Sequence, residues 1–460
     1  MKKGLFFLLM SCLSTGVFAQ GVVIDVTRLG AKGDGKSKDT QALQRAIDQA
    51  AQKGGTVLLP PGRYLSGTLF LKSNVTVQLS RGAVLLGSTE IADYKSNTIK
   101  YRSSTESYST RALLYGEGLE NIALIGEGTI DGQGTHPNFQ IKAGTDGNDN
   151  ESIRLRPYLI KLVSCKNVQV TNLTLRHSPA WAQHYLDCEN VRFQGMQVYN
   201  HGNRNNDGLD LDNCRNVRVS DCLIDADDDA LCFKSTSPAG RCEQIVVSNC
   251  ILASNCNAIK MGTDSNGGFA DISISNCVLR RAGEKSFWGR HSGLAGIALE
   301  VVDGGRMERI MVSQLTIDAY ASALFIRLGN RGRLPTPDAE KPGVGTLQDV
   351  QISHIEARST LNTGCAIVGI PGHSVRNITL SNLHIVVPGG GTEAQAARSI
   401  PEKEAAYPES EMFGRLPAYG FYIRHARNIS IEHCRVETQS PDARPVLVTD
   451  DVQNSTLLVN

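Results

Sequence analysis

A chain of 460 residues, 41% hydrophobic and 20% charged, has enough apolar material to bury a large core, which excludes a disordered polymer. Its net charge of +1 gives no electrostatic basis for coating nucleic acid or a membrane surface, and neither is expected as a partner. With 45 glycines and only 6% aromatics, the composition suits many short strands joined by turns.

In chain order, Lys2 and Lys3 precede an apolar run, Gly4–Met10, and the segment ends Val17-Phe18-Ala19 before Gln20. A basic start, a short apolar stretch and a small final residue read as a secretory signal over residues 1–19. The mature chain is then exported, to the periplasm or beyond. No later stretch reaches the roughly 18 apolar residues that a membrane span requires. Residues 20–460 read as one domain. Val22–Leu29 is expected as a strand and Asp39–Lys53 as a helix, capped by Asp39 or Thr40 and ended by Gly54-Gly55. Leu43, Ile47 and Ala50 share one face, as in a helix that closes the open end of a repeat core.

The middle of the chain repeats itself. One column reads Cys165-Lys166-Asn167-Val168, Cys188-Glu189-Asn190-Val191, Cys214-Arg215-Asn216-Val217 and Cys242-Glu243-Gln244-Ile245; a second reads Ser220-Asp221-Cys222, Ser248-Asn249-Cys250 and Ser275-Asn276-Cys277. The anchors Val168, Val191, Val217, Ile245 and Ile272 are 23, 26, 28 and 27 residues apart. A period in the twenties with short alternating apolar segments predicts stacked coils, and the leucine-rich signature with a similar period is missing. The fold class expected is all-β: a right-handed parallel β-helix with an N-terminal capping helix. The cysteines then stack as small apolar residues, and free core thiols are expected rather than disulfides, because side chains that point the same way bridge poorly. No Cys/His spacing suggests zinc. Three excursions, His136–Arg156, Arg331–Gly345 and Pro388–Leu416, are expected to wall a binding face.

The densest acidic stretch is Asp207-Gly208-Leu209-Asp210-Leu211-Asp212, followed by Asp225-Ala226-Asp227-Asp228-Asp229. Aligning Asp207-Gly208-Leu209-Asp210-Leu211 with Asp229-Ala230-Leu231-Cys232-Phe233 and Asn257-Ala258-Ile259-Lys260-Met261 stacks Asp207, Asp229 and Asn257 in one column. Asp210, Cys232 and Lys260 form the column beside it. Carboxylates on adjacent coils repel and raise at least one pKa, so crowding points to chemistry rather than to solvated turns.

Asn205-Asn206-Asp207 and Asp228-Asp229 resemble the Asn-x-Asp and Asp-Asp motifs of the polygalacturonase family of glycoside hydrolases, family 28. Val26–Gly35 and Leu59–Tyr64 also look like the opening of pectin-degrading β-helix proteins. The resemblance, over about residues 22–440, implies hydrolysis of a pectic oligo- or polysaccharide with inversion and without a cofactor or metal. Asp228 would be the general acid, with Asp207 and Asp229 holding and deprotonating water. An inverting pair must stand roughly 6.5–9.5 Å apart to admit that water, which adjacent coils can provide. Two departures stand out. The family's Gly-His-Gly position reads Cys256-Asn257-Ala258, and its Arg-x-Lys clamp has no clean copy, the nearest being Arg327 with Arg331.

Substrate-binding candidates are Asn205, Asn257, Lys260, Trp181, His184, His201, Arg204, Lys234 and Arg327. Lys260 and Arg327 could receive a uronic carboxylate, Trp181 could stack on a sugar with His184 on its hydroxyls, or these two could be core residues. A monomer is expected. The alternatives are a calcium-dependent lyase on the same fold, with Lys234 or Lys260 as base, and a non-catalytic carbohydrate-binding β-helix.

Overall fold

A computed structural model describes residues 21–140 and 155–460, residue 288 and the side chains of residues 106 and 107 excepted. The export signal over residues 1–19 and most of the His136–Arg156 excursion lie outside the described residues.

The described residues wind into a right-handed parallel β-helix whose 32 strands belong to one sheet system. A central coil shows the repeat. Gln183–Leu186, Glu189–Gln194 and Gln197–Asn200 pair in parallel with Leu209–Asp212, Arg215–Ser220 and Leu223–Ala226 one coil later. Those in turn pair with Leu231–Ser235, Cys242–Ser248 and Ile251–Ser254. Val168, Val191, Val217, Ile245 and Ile272 stand directly above one another, as the sequence period requires.

The residue before each anchor turns the chain. Asn167, Asn190, Asn216 and Gln244 all have φ between 54 and 57°, the left-handed region that Asn tolerates best among residues with a side chain. Two of these amides bond along the stack, Asn190 Nδ2 to Asn167 Oδ1 at 2.8 Å and Asn167 Nδ2 to Asn121 Oδ1 at 2.9 Å, so these corners support their neighbours. Inside the helix one apolar core runs from Val26 to Val436. All eleven cysteines of the described residues are buried and free, as the ladder reading expects.

The N-terminal helix is Thr40–Ala51, and its buried face is Ala42, Leu43, Ala46, Ile47 and Ala50. Asp39 does not cap it through its side chain; its carboxylate accepts from Lys32 N at 2.6 Å and Gly33 N at 3.0 Å instead. The strand expected over Val22–Leu29 stops at Asp25, and Val26–Leu29 is a 3-10 turn. Asp25 accepts from Thr27 N at 2.9 Å, a local bond that competes with continued strand.

Candidate active site

Asp207, Asp228 and Asp229 sit at the corner where one coil's third strand gives way to the next coil's first. Asp207 precedes Leu209–Asp212, Asp228 and Asp229 precede Leu231–Ser235, and Asn257 begins the following strand, Asn257–Ser265. Backbone bonds hold the column: Gly208 N donates to Asp229 O at 2.9 Å and Ala230 N to Asn257 O at 3.0 Å. The neighbouring column is in register too, Asp210 opposite Cys232 and Cys232 opposite Lys260. Gly208 is required by space. A Cβ there would meet Ile224 Cγ2 at 2.3 Å and Ala230 O at 2.6 Å, so any larger residue would push Asp207 off the corner.

The corner opens into a cleft of about 980 Å³ lined by all three carboxylates. Asp207 and Asp229 are each only 3% exposed, whereas Asp228 is partly exposed to the cleft. Ligand oxygens of Asp207 and Asp229 lie within 4.8 Å of each other. Two oxygens at that separation can both bond one water. Asn257 donates to Asp229 from its backbone N at 3.2 Å and from Nδ2 at 2.7 Å, and Lys260 Nζ is 3.3 Å away. Every one of these partners is a donor, the surroundings of a proton acceptor. Asp207 differs: burial, then the charges of Asp210 and Asp228, holds its carboxyl well above the usual range. Burial and the adjacent Asp229 push Asp228 up to about 6, and burial raises Asp210 to about 7 despite an ion pair with Lys234 at 3.2 Å.

The binding candidates divide into two groups. Asn205, Arg204, Lys234, Lys260 and Trp181 line the cleft with the carboxylates. Asn257 is fully buried and touches Asp229, so its place is behind the site. Three others are corrected by burial. His184 is fully buried and bonded to Asp212 at 3.1 Å; burial drops its pKa to about 4, so it is a neutral core residue. His201 bonds Asp225 at 2.8 Å beneath the turn, outside the cleft lining. Arg327 is 1% exposed and donates to the carbonyls of Gly369, Glu402 and Lys403, which excludes it as a carboxylate clamp and makes it the anchor of the Pro388–Leu416 excursion.

Trp181 reaches the cleft but is only 8% exposed. Tyr158 stacks on it at 5.3 Å and 10°, and Lys234 Nζ lies 4.6 Å from the ring centroid, so little of either face is open to a sugar. The half-exposed aromatic in the cleft is Tyr407, which sequence reasoning missed. Also missed were Glu409 beside Lys260 at 3.2 Å, Arg290, and Arg333 paired with Asp264 at 2.5 Å. Tyr407, Glu409 and Arg333 come from the two excursions, which have the cleft-walling position expected of them. The stretch between Gly87 and Ala112, which adds Ser103, Ser104 and Tyr108 to the wall, had no motif to betray it.

The model described as "Glycosyl hydrolases family 28" matches residues 56–279, which span every candidate carboxylate. A probable polygalacturonase of Vitis vinifera is 28% identical over 375 residues, covering 77% of this chain and 72% of its own. An exo-poly-alpha-D-galacturonosidase of Dickeya chrysanthemi is 25% identical over 417 residues, covering 80% of this chain and 67% of its own. Among solved structures, a family 28 exopolygalacturonase of Yersinia enterocolitica superposes with a TM-score of 0.69 at 19% identity, covering 95% of this chain and 78% of that one. At that identity the likeness speaks for the fold alone.

Proposed function

The chain belongs to glycosyl hydrolase family 28 and is a polygalacturonase-type hydrolase of pectin; from that premise we propose that it cleaves its α-glycosidic bond by a single inverting displacement at the corner of Asp207, Asp228 and Asp229. Asp228 is the acid. It is the most exposed of the three, and its raised pKa of about 6 keeps it protonated where ordinary carboxylates have ionised, ready to protonate the glycosidic oxygen. Asp207 and Asp229 hold the attacking water between them, and Asp229, surrounded by donors from Asn257 and Lys260, takes its proton. Asn257 thus supports this base in the position where the family's histidine usually stands. Export through residues 1–19 belongs to the same reading, since the polymer lies outside the cell.

The observation that carries the proposal is the arrangement of the three groups: Asp207 and Asp229, buried and close enough to share a water, and Asp228 beside them, facing the cleft with its carboxyl raised to about 6. The lyase reading is less well supported, because Lys234 and Lys260 are already ion-paired with the same aspartates that calcium would need. Incubation with a panel of pectic oligosaccharides, read by NMR, tests the mechanism. The expected first product is the inverted anomer, and Asp228→Asn should lower kcat by about 10²–10⁴-fold while calorimetry shows binding retained. A retained anomer, or an unsaturated uronate end, would reject it.

A further inference from the structure

The consecutive aspartates of the acid's turn do not share one environment. Asp228 and Asp229 line the cleft, whereas Asp227 is only 2% exposed and lies outside that lining. Neighbouring coils hold the turn along the stack. Asp227 N donates to Asn200 O at 3.0 Å and Asp228 N to Asn206 O at 3.3 Å on the preceding coil. On the following coil, Ser254 Oγ donates to Asp228 O at 2.5 Å. These bonds set the height of the turn in the solenoid. They do not tie it sideways to the segment between Gly268–Arg281 and Gly293–Val301, which walls the cleft beside it.

The sideways link is the Asp227 carboxylate. One oxygen accepts from Phe287 N at 2.9 Å and the other from Asn255 Nδ2 at 2.7 Å. Asn255 Nδ2 also reaches Glu284 O at 3.2 Å, and His201 Nδ1 stands 4.0 Å from the oxygen that Asn255 holds. A carboxylate accepts at both ends, whereas an amide of the same size must turn a donor towards one of the two partners. A buried acceptor satisfied from two separate segments holds them at a fixed distance. Asp228 follows Asp227 across a single peptide bond, so a shift of one carries directly to the other.

We infer that Asp227 is a positioning residue for the acid: by fastening the turn to the cleft wall it aims Asp228 at the glycosidic oxygen. This rests on the reading of Asp228 as the acid and adds to it the group that fixes its direction. Asp227 acts only through its neighbour. The tolerance is narrow, because a displacement of about 1 Å in a reacting group can cost about a hundredfold in rate.

The test compares an oligogalacturonide with a galacturonide whose leaving group is an activated nitrophenol, which departs without needing a proton. Asp228→Asn should lose far more on the first substrate than on the second. Asp227→Asn keeps the size and turns a donor onto Asn255 or Phe287, so it should show the same signature in weaker form. Its kcat on the oligosaccharide should fall by about ten- to a hundredfold with KM little changed, and its kcat on the nitrophenyl substrate should stay within about threefold of wild type. Asn255→Ala cuts one of the two bonds and should fall between this variant and wild type; it carries the test alone if Asp227→Asn does not fold. Equal losses on both substrates, a change confined to KM, or an unaltered kcat in these variants would overturn the inference and leave the hydrolase reading intact. Equal losses on both substrates for Asp228→Asn would remove the acid itself, and the inference with it.

Discussion

Asp228 has its carboxyl pushed up to about 6 by burial first, then by Asp229, with Glu409 acting in the same direction and Lys260 against it. As the acid it must be protonated, so activity should fall as pH rises through about 6. Glu409→Gln removes a negative charge from beside Asp228 and frees Lys260 from its partner at 3.2 Å. Both changes favour the ionised form, so the alkaline limb of the kcat profile should move to lower pH. A limb that stays in place, or moves upward, would show that Glu409 does not tune the acid. At this scale the aspartates were legible, because a column of carboxylates is visible as soon as the coils are aligned. Tyr407 and Glu409 were not: they stand about 180 residues further on, with no period linking them to the corner they face.

Among the elements, the Pro388–Leu416 excursion is the one whose order matters most to the cleft. Apart from the short helix Glu393–Ala396 it has no regular structure, so side chains must hold it. Arg327 supplies bonds of 2.8 Å to Gly369 O and 2.9 Å to Glu402 O; Arg424 adds one of 2.7 Å to Ile400 O and an ion pair with Glu402. Phe413 and Leu416 pack with Phe325 and Tyr422 in a second apolar cluster, which gives a physical role to the Met412–Gly420 segment. Arg327→Met keeps the volume and removes the donors, leaving the buried Gly369 carbonyl unsatisfied at about 1–3 kcal/mol and releasing the part-buried carbonyls of Glu402 and Lys403. Limited proteolysis should then cut within residues 388–416 while the coils stay resistant, and KM should rise as Tyr407 and Glu409 lose their placement. Unchanged protease resistance would remove Arg327 from this part.

For the whole molecule, stacking replaces covalent cross-links. Nine of the eleven cysteines of the described residues occupy apolar core positions that a small apolar side chain would fill, and a coil buries them only because the coils on either side cover it; Cys232 lies instead against Lys234 Nζ at 3.2 Å, and Cys256 lines the cleft. A chain exported into an oxidising compartment with an odd number of thiols would otherwise invite mispairing. On the proposed export with removal of residues 1–19, the mature protein should have the mass of a chain starting at Gln20 and release its eleven remaining thiols to a thiol reagent, but only after denaturation. A count lower by two for each bridge, or rapid reaction of the native protein, would contradict the buried ladder. No helix among the described residues is long and apolar enough to cross a membrane.

The amino-acid sequence by itself determined the coil period, the anchors and the register, because each coil pairs mainly with its immediate neighbours, so that period translates directly into position. It therefore also determined that Asp207, Asp229 and Asn257 share a column. Which polar residues face the cleft was decided only by the tertiary structure: His184, His201 and Arg327 carry the same functional groups as true ligand binders, and only packing turned them inward. The identity of the cleft's opposite wall was settled there as well, since excursions from a solenoid follow no repeat and their contacts depend on where distant coils place their ends.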